Sequence, residues 1–193
     1  MNVRPSGLAV IALVTTLLGG CVTFERAPVA QLSCDPALAG EWQGEKHDAA
    51  SQAARVSPDC ELQWPEDDGG TYTTTLRGFT LGGHRYLVFS PEDADRLMDM
   101  DGDLVSQAPA GSVLFARYRI EGDTLQLWLA DPNEALRTGG KVSARQIDDR
   151  FAHVEGSRED IAALLRERGD TLFDIDDVDG AARFKRVPEE ASP

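Results

Sequence analysis

Apolar and polar positions alternate in short runs along most of the chain, and the clearest case lies between Leu114 and Ala130. A two-residue Gly122-Asp123 loop there pairs Ile120 with Leu125, Tyr118 with Leu127 and Ala116 with Leu129 on one face. The other face then carries Arg119 with Gln126 and Arg117 with Trp128. A slip of one residue would mix the two faces on both strands, so the pattern itself specifies the register. Arg117 is placed to lie over Trp128 as a cation-π pair, on a face read as solvated or, alternatively, as a polar cavity lining. Upstream, Tyr72 to Thr80 and the run Arg85-Tyr86-Leu87-Val88-Phe89 flank Gly82-Gly83 and predict a second hairpin with Phe79 opposite Tyr86. Glu61-Leu62-Gln63-Trp64 alternates as a short strand that Pro65 ends, and Glu66 to Gly70 is a turn.

Helix starts interrupt this pattern at three places. Ser90-Pro91-Glu92-Asp93 supplies a capping hydroxyl, a proline at the first position and acids in the first turn, and predicts a helix to near Met98. Asp131-Pro132-Asn133-Glu134 repeats the signal, with Gly139-Gly140 as the stop. Ser157-x-x-Asp160 precedes Ile161, Leu164, Leu165 and Arg168 at helical spacing, and Gly169 ends that helix. His47 to Arg55 reads as a helical turn, Val142 to Val154 as a strand or two, and Thr171-Leu172-Phe173 and Ala181 to Val187 as the last strands. Sequential hairpins imply antiparallel pairing. The expected fold is α+β: a mainly antiparallel sheet, curved or partly open as a barrel, with short capped helices in the connections.

The first twenty residues follow a different rule. Arg4 stands beside the amino terminus, an apolar run covers Leu8 to Val14, and Leu18-Gly19-Gly20 leads into Cys21. The run is about half the roughly 20 residues that an apolar membrane span requires. Leu18, Gly19, Gly20 and Cys21 resemble the lipobox of bacterial lipoproteins, the alternative being an ordinary secretory signal. The resemblance implies cleavage after Gly20, acylation of Cys21 and attachment to a membrane through the N-terminal lipid. Because Val22, and not aspartate, follows the cysteine, it also implies the outer membrane, facing the periplasm. The domain organisation that follows is a signal over 1–20, an acylated tether over 21–33, one β-rich domain over 34–187 and a polar tail over 188–193.

Charge and cysteine count narrow the partners. The 19 Lys+Arg less Arg4 leave 18 against 33 Asp+Glu, a formal charge of −15 on the residues after Gly20. Such a surface repels phosphate backbones, so no nucleic acid is expected. With Cys21 assigned to lipid, Cys34 and Cys60 form an even pair, read as a disulfide in an oxidising compartment. A two-cysteine metal site and two buried thiols are the alternatives. His47, His84 and His153 are too widely spread to complete a zinc site. The acidic stretches Asp99 to Asp103 and Asp174 to Gly180 lack the glycine and glutamate spacing of a calcium loop and read as solvated turns.

Gly40-x-Trp42 resembles the first motif of the lipocalins and related small barrels, a likeness that implies a tryptophan closing the base of a barrel around an apolar ligand. The alternative is a core tryptophan at a strand start. No Gly-x-Ser-x-Gly elbow or close histidine pair is present, so no catalytic residue, metal or cofactor is expected. Among the 33 acids, a carboxylate pair for sugar cleavage stays open. The expected function is that of a non-enzymatic envelope lipoprotein that binds a small apolar ligand or a protein partner, with Trp42, Tyr118, Trp128 and Arg117 as candidate binding residues. A structural or assembly lipoprotein acting through its surface, and then an envelope hydrolase, are the alternatives.

Overall fold

The computed structural model describes residues 21–45, 53–66, 69–98 and 102–188. The signal at 1–20, His47 to Gln52 of the proposed helical turn, Asp67 and Asp68 of the proposed Glu66–Gly70 turn, Asp99 to Asp101 and the tail from 189 lie outside them. Among the described residues, twelve strands form a single open sheet of mixed direction that does not close into a barrel.

Its centre is β8 (Val113–Glu121), joined to β9 (Thr124–Leu129) in the register that the alternation specifies, from Ile120 opposite Leu125 to Arg117 opposite Trp128. Gly122 takes a φ of 60° in the turn, a conformation that costs glycine no Cβ clash. The second edge of β8 carries β7 (His84–Phe89), and β6 (Arg77–Leu81) pairs with β7. Phe79 stands opposite Tyr86 as expected, with the rings stacked at 4.9 Å. The stretch before it is two strands and not one: β5 (Thr71–Thr75) turns away to pair with β4 (Glu61–Pro65), and Leu76 marks the break, its N–H bonded to Cys60 O at 2.8 Å.

The largest departure from the sequence reading is at the start of the described chain. Where a tether is expected over 21–33, Cys21–Phe24 forms β1, parallel to β11 (Phe151–Glu155) and antiparallel to β8. Val22 and Phe24 are buried, and Phe24 stacks on Phe115 at 4.3 Å. Four residues are too few to show a period, and their partners lie some 130 positions away in Phe151–Val154, so local pattern carries no trace of the pairing. Beyond β9 the sheet continues through β12 (Ala182–Arg186), β2 (Gly40–Gly44), β3 (Ala54–Val56), β4 and β5, while β10 (Ser143–Gln146) flanks β11. Ala54 and Arg55 therefore belong to a strand and not to a helical turn.

Helices α1 (Pro91–Met98), α3 (Pro132–Leu136) and α4 (Arg158–Leu172) start where their caps predict. The side chains of Ser90, Asp131 and Ser157 accept the N–H groups of Asp93, Asn133 and Asp160. A fourth helix, α2 (Asp103–Gln107), has its first N–H groups satisfied by the buried Asp95, which accepts from Leu104 and Val105. Gly169 does not stop α4. Tyr86 packs against it so closely that a Cβ would lie 3.2 Å from the tyrosine hydroxyl, and the helix continues to Leu172. Thr171 and Leu172 thus end a helix instead of opening a strand.

The two faces of the sheet have different covers. On one, Phe24, Phe79, Tyr86, Phe115 and Trp128 lie beneath Ile161, Leu164 and Leu165 of α4. On the other, Leu87, Ala116, Leu125 and Phe151 face Leu38, Trp42 and Leu62 as β2 to β4 curl over them.

Candidate functional site

Strand pairing creates an opening on that second face. Leu114 pairs with Phe89 of β7 and with Thr23 of β1, while Ala116 pairs with Leu87 of β7 and Leu129 of β9. β1 and β9 must therefore succeed each other along one edge of β8, and the sheet divides between them into two branches. One is β1, β11 and β10; the other is β9, β12 and β2 to β5. A cavity of about 620 Å³ lies under the curl and reaches this division, where Leu129 to Pro132 and Asp148 to Phe151 both line it.

Its walls are aliphatic and aromatic. Trp42 is held in the wall by its own Nε1, which donates to Leu38 O at 2.7 Å, and by the Arg186 guanidinium 4.2 Å above its ring. Arg186 in turn donates to Ala39 O and Ala37 O, and it fills the space that a Cβ on Gly40, whose φ is 136°, would occupy. Trp64 and Phe184 meet edge to face at 6.3 Å across the wall. Leu97 and Met98 of α1 line it as well. The charged side chains of the lining, Asp131, Asp148, Asp149, Arg150, Asp174 and Asp177, are partly or fully exposed and so stand at the rim.

The disulfide fixes one wall. Cys34 and Cys60 are bonded, with Cα atoms 5.7 Å apart, and tie the 3₁₀ turn Pro36–Leu38 to the start of β4. Asp35 adds a polar clamp beside it: its carboxylate accepts from Tyr118 Oη at 2.6 Å, Arg85 Nη1 at 3.1 Å and Ala37 N at 3.0 Å. Burial pushes this carboxyl upward, but the Tyr118, Ala37 and Arg85 donors outweigh it and hold Asp35 below the usual range. Burial, and then the same contact with Asp35, raises the Tyr118 phenol above its ordinary value. Asp35, Arg85 and Tyr118 line a second, polar pocket of about 360 Å³.

Of the candidate binding residues, Trp42 and Trp128 line the main cavity, and Tyr118 belongs to the polar pocket. Arg117 is elsewhere. It is buried under α4, bonded to Asp170 Oδ1 and to His84 Nδ1 at 2.8 Å, and Arg119 takes the place over Trp128, 5.4 Å from the ring centroid. The face expected to be solvated is covered because the apolar stripe of α4 needs a sheet to pack on, and this is the face it finds. Sequence reasoning missed Leu62, Trp64, Leu97, Met98 and Phe184 as lining. The alternation that ends at Trp64 is legible in the sequence, but not which faces meet across the cavity.

Cys21 has a place in the core: it is 2% exposed, packs with the cluster that includes Phe151 and Leu87, and donates its N–H to Arg150 O at 3.0 Å. Burial, with Asp95 nearby, pushes its thiol up to about 11. Thr23, on the same face, bonds through Oγ1 to Nδ1 of the buried His153 at 2.9 Å. Among the described residues, no three His, Cys, Asp or Glu side chains are grouped to hold a metal ion, and no helix is long and apolar enough to cross a membrane. Comparison with protein-family models, with curated proteins and with solved structures finds no match.

Proposed function

We propose that this chain is a lipid-anchored envelope protein that holds a small apolar molecule in the cavity beneath its curled sheet, without catalysing a reaction. One observation carries the binding half: a cavity of about 620 Å³, inside the roughly 300–1,000 Å³ range of small-molecule sites, walled by Trp42, Trp64, Phe89 and aliphatic side chains. A lipoprotein acting through its surface would instead need an apolar patch away from the cavity. The large apolar residues exposed among those described are Val105, Leu129, Leu136 and Val178, and two of the four, Leu129 and Leu136, belong to the cavity rim.

The anchoring half rests on the lipobox resemblance at Leu18 to Cys21. It carries a structural consequence, because a thioether-linked lipid does not fit where the Cys21 side chain is buried. The acylated form holds residue 21 out of the sheet, with β1 pairing from Val22 onward.

Each half has its own test. The Cys21→Ser protein, exported with its signal intact, should move from the membrane pellet to the soluble envelope fraction; retention in the pellet after a high-salt wash would refute the anchor. For the cavity, the neutral apolar fluorophore N-phenyl-1-naphthylamine should gain intensity with a one-to-one stoichiometry on titration with that soluble protein. A featureless titration at micromolar protein would refute the cavity reading.

A further inference from the structure

The rim of the cavity is not neutral. Among the described residues, five aspartates line it, Asp131, Asp148, Asp149, Asp174 and Asp177, against one cation, Arg150, and the other lining side chains are uncharged. They come from three separate segments: the start of α3, the turn between β10 and β11, and the stretch between α4 and β12. Three are held by backbone donors. Asp131 accepts from Asn133 N, Asp148 from Arg150 N and Phe151 N, and Asp177 from Asp179 N and Gly180 N. A carboxylate has about four acceptor sites, so these bonds orient each group and leave it capacity for a ligand. Asp149 and Asp174 are exposed at the surface.

Resting on the cavity reading above, we propose that the ligand is a single-chain amphiphile with a cationic head group, its chain in the apolar interior and its ammonium at the aspartate rim. An apolar wall accepts any chain of suitable length, so the wall alone does not choose between a fatty acid, an alcohol and an amine. The rim does. A mouth lined by one sign of charge over low-dielectric walls focuses its field, and the remaining surface, at a formal charge of −14 for the whole chain, reinforces the sign. A carboxylate head would be brought against like charge at the point where it must stop, and an ammonium head would meet its complement there.

The test uses three ligands of one chain length, decyltrimethylammonium, decanoate and decanol, each below its micelle concentration. They displace N-phenyl-1-naphthylamine from the soluble Cys21→Ser protein at pH 7.5. In low salt the cation should bind at least about tenfold tighter than decanoate, since a rim potential of little more than one kT acts with opposite sign on the two heads. Decanol should fall between them. Raising the salt to about 0.5 M, where the Debye length is only a few ångströms, should draw the three affinities together. The Asp149→Asn/Asp174→Asn variant should lose most of the preference and keep its affinity for decanol; asparagine is compatible with the φ of 40° at position 174. Equal affinities for cation and carboxylate, or tighter carboxylate binding, with decanol still bound would overturn the head-group proposal and leave the cavity reading standing. Failure of all three ligands to displace the fluorophore, or of the fluorophore to bind, would overturn both.

Discussion

Removing the Cys34–Cys60 bond tests how the cavity wall is held. The bond closes a 27-residue loop, from a sequence separation of 26, that contains Leu38, Trp42, Ala54 and Val56, all of which line the cavity. In the chain-entropy description, cross-linking such a loop costs the unfolded chain about 12 cal/mol/K, or about 3.6 kcal/mol at 25 °C. For a domain of this size that corresponds to a fall in melting temperature of roughly 7–14 °C. In urea, with a slope of about 2 kcal/mol/M, the midpoint should drop by about 1.8 M. The assay is equilibrium urea unfolding of the Cys34→Ala/Cys60→Ala protein beside its parent, followed by tryptophan fluorescence, since Trp42 lies inside the closed loop and Trp64 in the strand that follows Cys60. The native state is also expected to bind N-phenyl-1-naphthylamine more weakly, because the 3₁₀ turn then loses its covalent link to the start of β4. A midpoint within about 0.3 M of the parent, with an unchanged slope, would refute the reasoning: the loop would then be restrained by other means in the unfolded chain, or the wall would not depend on the bond.

Other consequences can be checked directly. Trp42→Ala removes a fully buried ring, its bond to Leu38 O and the surface on which Arg186 stacks, and should cost about 3–5 kcal/mol in urea unfolding; a loss below about 1 kcal/mol would contradict the tight packing of this ring. In protein produced without residues 1–20, the Cys21 thiol, raised from 9.0 to about 11, should react with iodoacetamide at pH 8 at least roughly a hundredfold more slowly when folded than in urea. Equal rates would show that β1 is not docked. Burial, then the Arg145 cation, holds the His153 imidazole below its ordinary value, against the opposing pull of Glu155, Glu25 and Thr23. Because its folded value is the lower one, its contribution is complete above the unfolded value near ~6.5 and is lost as pH falls from there toward the folded value. The urea midpoint should therefore decline between pH 7.5 and 5, and less so in His153→Gln; a midpoint that rises on acidification would contradict the burial of a neutral imidazole.

Much of the fold follows from short-range rules. The β8–β9 register is legible because Ile120, Tyr118 and Ala116 find apolar partners at each step, and the three cap signals mark helix starts because Ser90, Asp131 and Ser157 satisfy N–H groups a few residues away. What sequence does not show is long-range. β1 is four residues whose partners lie about 90 positions on in β8 and about 130 on in β11, and its pairing with β11 is parallel, which no hairpin pattern anticipates. Gly169 illustrates the limit of punctuation: a glycine near a helix end reads as a stop, yet here its missing Cβ admits Tyr86. Arg117 shows the same limit for charge. An arginine on a strand reads as solvent-facing until a helix covers it and Asp170 and His84 supply the partners. For the cavity, Trp42 and Trp128 were recognisable as large aromatics, but the wall depends on which face each branch of a divided sheet presents, and that is a property of the whole sheet.

The central claim, that the curled sheet encloses a ligand, is tested most directly by native mass spectrometry of the soluble Cys21→Ser protein purified gently from its own envelope. A non-covalent adduct of one defined mass, released on collisional activation and displaced by decyltrimethylammonium, is the predicted result. A protein of bare mass, with no adduct formed even when that amphiphile is added in excess, would contradict it.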